Sequence, residues 1–184
     1  LIDALKRGSA NTVNLIIPCF GYQRQERKDY SRAPISASVI AKCIESLNVN
    51  RIIVLDLHAP QISGFFSNNC PIDNLYAEPY FISYIQKHII NKNNYSSDDV
   101  IFVAPDAGAM KTNYRIAQYF KTSTTSIFKS RNNGIIDHMM LIGDVSNKIV
   151  IMVDDIIDTA GTICKASNLL KENGAKKIIV FATH

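Results

Sequence analysis

Five short, uninterrupted apolar runs punctuate the chain: TVNLIIP (12–18), RIIVLDL (51–57), DVIFVAP (99–105), KIVIMV (148–153) and KKIIVFAT (176–183). Runs of this length, rich in β-branched residues and lacking polar alternation, suit strands covered on both faces, as in a parallel sheet. Amphipathic stretches lie between them: APISASVIAKCIESLN (33–48), EPYFISYIQKHIIN (78–91), NYRIAQYFKT (113–122) and GTICKASNLLKENGA (161–175). The last of these reaches Gly174, a good helix stop. Strand–helix–strand repetition predicts an α/β protein with mainly parallel sheets flanked by helices. Turn residues in PIDNLYAEP (71–79) separate two such blocks and put a domain boundary near Asn74, giving domains 1–74 and 75–184.

Composition narrows the function classes. With 47% hydrophobic and 20% charged residues, the chain has the balance of a globular protein. No run approaches the ~18 consecutive apolar residues of a membrane span, and no signal peptide is visible. The cysteines at 19, 43, 70 and 164 form no CxxC pair, which points away from a zinc site or disulfide framework and toward a cytoplasmic location. A net charge of +4 suits an anionic small molecule and is too mild to press the case for nucleic acid. The sequence opens on Leu1 and stops at His184 just after a strand-like run, so it is expected to be a piece of a longer protein, truncated at both ends. The polar run NKNNYSSDD (91–99) reads as a surface loop without chemistry.

In open parallel sheets, ligands bind beyond the carboxyl ends of the strands. Asp154 and Asp155 follow the fourth run, His58 the second and Asp106 the third, while the first leads into the basic segment CFGYQRQERKDYSRAP (19–34). The segment FKSRNNG (128–134) adds Lys129 and Arg131 from an expected loop. In Asp158–Thr162, Ala160 and Gly161 allow close approach of the backbone, and Thr159 and Thr162 supply hydroxyls. Successive amides at a helix start would then form an anion nest. An ordinary N-cap with a glycine turn would look the same. Acids at strand ends are commonly just solvated, but beside a phosphate nest they have a natural partner in the vicinal hydroxyls of a sugar. A sugar phosphate satisfies both halves of VDDIIDTAGT.

A strand, two acids and a Thr/Gly loop resemble the ribose-5-phosphate signature of the type I phosphoribosyltransferase fold. YQRQERKDYSRAPISAS, LDLHAPQISGFF, PIDNLYAEP, VAPDAG and VDDIIDTAGTICKA occur in this order, and together they resemble the ribose-phosphate pyrophosphokinase family over essentially the whole chain. The resemblance implies two phosphoribosyltransferase-like domains. Residues 1–74 would be the remainder of an N-terminal domain with an ATP-contacting loop, and 75–184 a C-terminal domain with the ribose 5-phosphate site.

The implied reaction transfers the diphosphoryl group of MgATP to the 1-hydroxyl of ribose 5-phosphate, giving 5-phosphoribosyl 1-pyrophosphate and AMP. On that resemblance Asp158, Thr159, Ala160, Gly161 and Thr162 cradle the 5-phosphate, and Asp154 and Asp155 hold the ribose hydroxyls. Arg24 and Gln25 contact ATP, the arginine being suited to phosphate by its planar fork. By itself RQERKDYSR reads better as a solvated charged loop or a nucleic-acid patch. His58 and Asp106 match positions associated with Mg2+. Asp106 is an ordinary hard-oxygen ligand, whereas His58, read from chemistry alone, is a hydrogen-bonding histidine at a strand end. Lys129 and Arg131 match a catalytic loop whose charges stabilise the transferring phosphoryl group. A homo-oligomer, of the hexamer-of-dimers type, is implied, with neither nucleic acid nor membrane as partner.

Two departures stand out. Ala109 occupies the place of a second glycine in PDAGAMKTN (105–113), which requires a backbone open to non-glycine residues, and NNG after Arg131 is less basic than the family pattern. Alternatives from other classes are a non-catalytic regulatory paralogue, a nucleobase phosphoribosyltransferase and, weakest, a nucleic-acid-binding module.

Overall fold

A computed structural model describes residues 1–132 and 135–184, with side chains described outside 130–138. The chain divides into two compact units, Leu1–Ala77 and Glu78–His184.

The first unit begins with a short helix α1 (Ile2–Arg7) and carries three parallel strands, β1 (Asn14–Ile17), β2 (Arg51–Leu55) and β3 (Ile72–Leu75), in the order β1-β2-β3. Helix α2 (Ser36–Glu45) crosses from β1 to β2, and a 3-10 segment (Pro60–Phe65) links β2 toward β3. Phe20, Ala37, Val49, Ile52, Val54, Leu57 and Ile62 form its core. β3 runs through Asn74, in the stretch read from sequence as turn.

The second unit holds α3 (Glu78–Tyr84), which widens into a π-helical stretch (Ile85–Asn91), then β4 (Val100–Ala104), α4 (Met110–Phe120), β5 (Ser123–Asn132), β6 (Ile135–Ile142), β7 (Ile149–Asp154), α5 (Gly161–Glu172) and β8 (Lys177–Ala182). The sheet order is β6-β5-β4-β7-β8, parallel except for the antiparallel β5–β6 pair. β4 is buried throughout, as its unbroken apolar run requires. Val100 and Phe102 face Ile85, Ile89, Ile116 and Ala117 on one side, while Ile101 and Val103 share the other with Ile127, Ala166 and Leu170. Among the described residues, no helix is long and apolar enough to cross a membrane.

One expectation is corrected here. FKSRNNG was read as a loop, but Phe128 to Asn132 belong to β5 and pair with β6, with an irregularity between Ser130 and Arg131. Exposed Phe128 and Met140 sit opposite each other, while Ile127 is buried. This inside–outside alternation identifies a half-covered edge ribbon, and Lys and Ser in its sequence masked it. Asn133 and Gly134 lie outside the described residues.

Candidate active site

The chain leaves β4 on one side to form β5 and later returns on the other side as β7. That reversal is a topological switch point, where the loops after two adjacent parallel strands diverge and open a crevice. The β4–β7 ladder ends at Phe102–Ile151, so the last residues of the two strands are not paired with each other. Asp106 follows β4, and Asp154 is the last residue of β7.

Asp106 is held by its own loop. Its Oδ1 accepts hydrogen bonds from the backbone N–H of Gly108 (3.0 Å) and Ala109 (3.2 Å), an Asx-type turn leading into α4. Ala109 has φ −79° and ψ −7°, an ordinary right-handed conformation, so the position read as a missing glycine does not need one here. The second oxygen, Oδ2, lies 3.2 Å from Lys129 Nζ. Lys129 projects from β5 with its side chain only 6% exposed, so its charge is largely withdrawn from water and directed at Asp106. Arg131 also lies on β5; its side chain is outside the described residues.

Asp154 is the most perturbed carboxyl in the site. Burial raises its pKa from the ordinary carboxylate range to about 7, and the nearby charges of Asp106 and Asp155 push in the same direction. The Asp155 N–H donates to Asp154 Oδ1 at 3.0 Å and offsets part of this. The backbone after β7 is tied to the end of β8: Ile157 N–H donates to His184 O (2.8 Å), and His184 N–H donates to Asp155 O (2.9 Å). The acid pair therefore rests on a fixed backbone. Three carboxylates and one lysine converge at this crevice, which can bind hydroxyls and cations and present a positive charge to an anion.

Asp158 and Thr159 lie in the loop leading to α5, with Ala160 as its N-cap, and Gly161 and Thr162 open the helix. The conformational burden falls on Ala160, which has φ +58°, while Gly161 carries no positive φ and has nothing nearer than 3.8 Å to an added Cβ. Sequence reasoning gave close backbone approach to both small residues; the geometry puts the left-handed conformation on the alanine. The first turn of this 12-residue helix leaves amide donors at its start, the setting in which phosphates bind.

Arg24, Gln25 and His58 belong to the first unit. Arg24 and Gln25 are exposed on a turn-rich segment, where Gln25 N–H donates to Tyr22 O (2.8 Å) and Gln25 O accepts from Ala37 N–H at the start of α2 (3.3 Å). Between them and β1, Gln23 is 3% exposed. Its Oε1 accepts from the His58 N–H at 3.0 Å, so the segment of Arg24 and Gln25 and that of His58 are joined. The end of β2 is further anchored by Asn74 Oδ1, which accepts from Leu57 N–H, and by Asp56 Oδ2, which accepts from Ala77 N–H. Sequence reasoning passed over Gln23, and nothing in its charged surroundings marks it as buried. It also passed over Asn113, which is wholly buried on α4. Asn113 does leave a signal, since it occupies the apolar stripe shared by Ile116, Ala117 and Phe120.

Among the described residues, no group of three or more His, Cys, Asp or Glu side chains could hold a metal ion by itself. Asp106 and Asp154 nevertheless supply hard oxygens, with Asp106 close enough for its charge to disfavour that of Asp154. That donor set fits Mg2+, which takes one or two carboxylates and leaves its other positions to water and substrate phosphates.

Residues 1–47 match the N-terminal domain of ribose phosphate pyrophosphokinase, and residues 101–184 match the phosphoribosyl synthetase-associated domain. Over its whole length the chain is 42% identical to ribose-phosphate pyrophosphokinase A of Dictyostelium discoideum and 45% identical to ribose-phosphate pyrophosphokinase of Oceanobacillus iheyensis, and it covers 56% of each. The crystal structure of phosphoribosylpyrophosphate synthetase from Mycobacterium smegmatis matches 99% of this chain and 58% of its own, at 37% identity and a TM-score of 0.85. The chain thus spans about half the length of the curated relatives it matches. Two domain matches in family order, and a fold match that covers both units, lead to one conclusion: over its whole length the chain is similar to the ribose-phosphate pyrophosphokinases.

Proposed function

We propose that the full-length protein transfers the diphosphoryl group of ATP to the 1-hydroxyl of ribose 5-phosphate, releasing AMP. The observation that carries this reading is the crevice itself: Asp154, Asp106 and Lys129 converge at a switch point beside the helix start at Gly161. The 5-phosphate binds at Asp158, Thr159, Ala160, Gly161 and Thr162, and Asp154 and Asp155 accept hydrogen bonds from the ribose hydroxyls. Asp106 would hold Mg2+, which would supply neutralisation of the polyphosphate charge, and family resemblance assigns His58 to the metal as well. Arg24 and Gln25 orient ATP.

In the transfer, the C1 hydroxyl oxygen bonds to the β-phosphorus. The bond between that phosphorus and the oxygen retained by AMP breaks, and the hydroxyl proton is released. Catalysis of such a step is mainly positioning and charge neutralisation. Lys129 is suited to this because its ammonium is already desolvated and poised against a carboxylate. Arg131 adds a second charge by family resemblance. In this reading residues 1–74 belong to the ATP-contacting domain and 75–184 to the sugar-phosphate domain of a cytoplasmic homo-oligomer.

AMP release from MgATP by the full-length protein tests the reading, and it should depend strictly on ribose 5-phosphate. Tight ribose 5-phosphate binding without AMP release would instead favour a regulatory paralogue.

A further inference from the structure

Asn113 lies on α4, wholly buried, and its carboxamide spans two elements. Nδ2 donates to Val153 O (2.7 Å) and to Ala109 O (2.9 Å), while Oδ1 accepts from Val153 N–H (3.0 Å). Val153 is the residue immediately before Asp154, and the β4–β7 ladder stops at Phe102–Ile151, short of it. Where β4 turns away to form the crevice, the N–H and C=O of Val153 lose their strand partner. Buried backbone groups must be paired, and a carboxamide presents the same donor and acceptor as a peptide. Asn113 thus replaces one rung of the sheet at the point where the sheet opens.

The same side chain reaches the other wall. Ala109 O accepts from Asn113 Nδ2, and Ala109 N–H donates to Asp106 Oδ1. A continuous series of hydrogen bonds and backbone therefore links Asp106, Ala109, Asn113, Val153 and Asp154.

We infer that Asn113 is a positioning residue, a side-chain rung that sets the separation of Asp106 and Asp154 across the β4–β7 crevice. The inference rests on the ribose 5-phosphate reading of that crevice and adds a residue to it. The bonds of Asn113 go to Ala109 and to Val153, the neighbour of Asp154, so its loss should disturb the hydroxyl side of the site and spare the phosphate side.

Titrations of the full-length protein with ribose 5-phosphate and with inorganic phosphate, followed by NMR at the Thr159 and Gly161 amides without ATP or metal, separate the two sides. The parent should prefer ribose 5-phosphate. In Asn113→Leu, similar in size but unable to hydrogen-bond, that preference should fall by about tenfold, as expected for a small misplacement of a binding group. Phosphate affinity should stay within about twofold. Asn113→Ser leaves room for a water to satisfy Val153; it should show the same loss and serves if the leucine variant does not fold. A preference unchanged in both variants, or a parallel loss of both affinities, would overturn the inference alone. A parent with no preference for ribose 5-phosphate would overturn the site reading together with it.

Discussion

Lys129 Nζ lies 3.2 Å from Asp106 Oδ2, joining the edge ribbon to the loop after the central strand. The lysine side chain is 6% exposed and the aspartate 39%, so the pair has a dry side and a wet side. A ligand anion entering from the wet side meets an ammonium already largely withdrawn from water. The pair therefore couples the carboxylate after β4 to a cationic side chain of β5.

Replacing Lys129 with alanine should lower kcat by roughly 10²–10³, the usual cost of deleting a preorganised charge donor. Ribose 5-phosphate affinity should change little, because the hydrogen bond of the lysine goes to Asp106. Steady-state kinetics paired with calorimetric binding checks this. Near-normal turnover would remove Lys129 from the mechanism.

Asp154 predicts a pH dependence of stability. Its folded pKa of about 7 exceeds the unfolded value of about 3.9, so the folded state binds the extra proton. This contribution is fully present below about pH 4 and is lost as pH rises through 7. Since Asp154 is partly solvated, the loss at pH 8 is on the order of 1–3 kcal/mol. Asp154→Asn should therefore melt higher than the parent at pH 8, with the difference shrinking toward pH 4. It should also bind ribose 5-phosphate more weakly. Equal melting temperatures at pH 8 would show that the carboxylate is not strained.

Ala160 and Gly161 give opposite expectations to those their names suggest. Ala160 holds φ +58°, which costs an L-residue roughly 1 kcal/mol, so Ala160→Gly should be neutral to stabilising by about 0.5–1 kcal/mol. Gly161→Ala should fold normally, since its added Cβ meets nothing closer than Thr159 Oγ1 at 3.8 Å. Any loss of phosphate affinity in Gly161→Ala would then report ligand contact rather than backbone strain. Denaturant unfolding alongside phosphate titration separates these effects.

What was legible in the sequence follows from how strongly burial marks a residue. The central strands β2, β4 and β7 and the helices α2, α4 and α5 declare themselves through apolar runs and stripes, because both faces of a parallel sheet exclude water. β3 was missed because Ile72–Leu75 is short and carries two polar residues, Asp73, which pairs with Arg51 at the start of β2, and Asn74, which accepts from Leu57 N–H beyond its end. β5 and β6 were missed because a ribbon covered on one face mixes lysine and serine with Ile127 and Phe128. Asp106 and Asp154 could be nominated from their places after strands, yet the pairing of Lys129 with Asp106 depends on β5 lying beside β4. No local pattern encodes that register. Gln23 and Asn113 were hidden for the converse reason, since each polar side chain is buried only because a distant backbone needs it.

The most direct test is 31P NMR of the full-length protein incubated with ATP, Mg2+ and ribose 5-phosphate. The expected products are AMP and a sugar carrying a new diphosphate on C1, formed in equal amounts and only when all three components are present. Formation of ADP instead of AMP, or a diphosphate signal that appears only when a nucleobase is added, would contradict the proposed reaction.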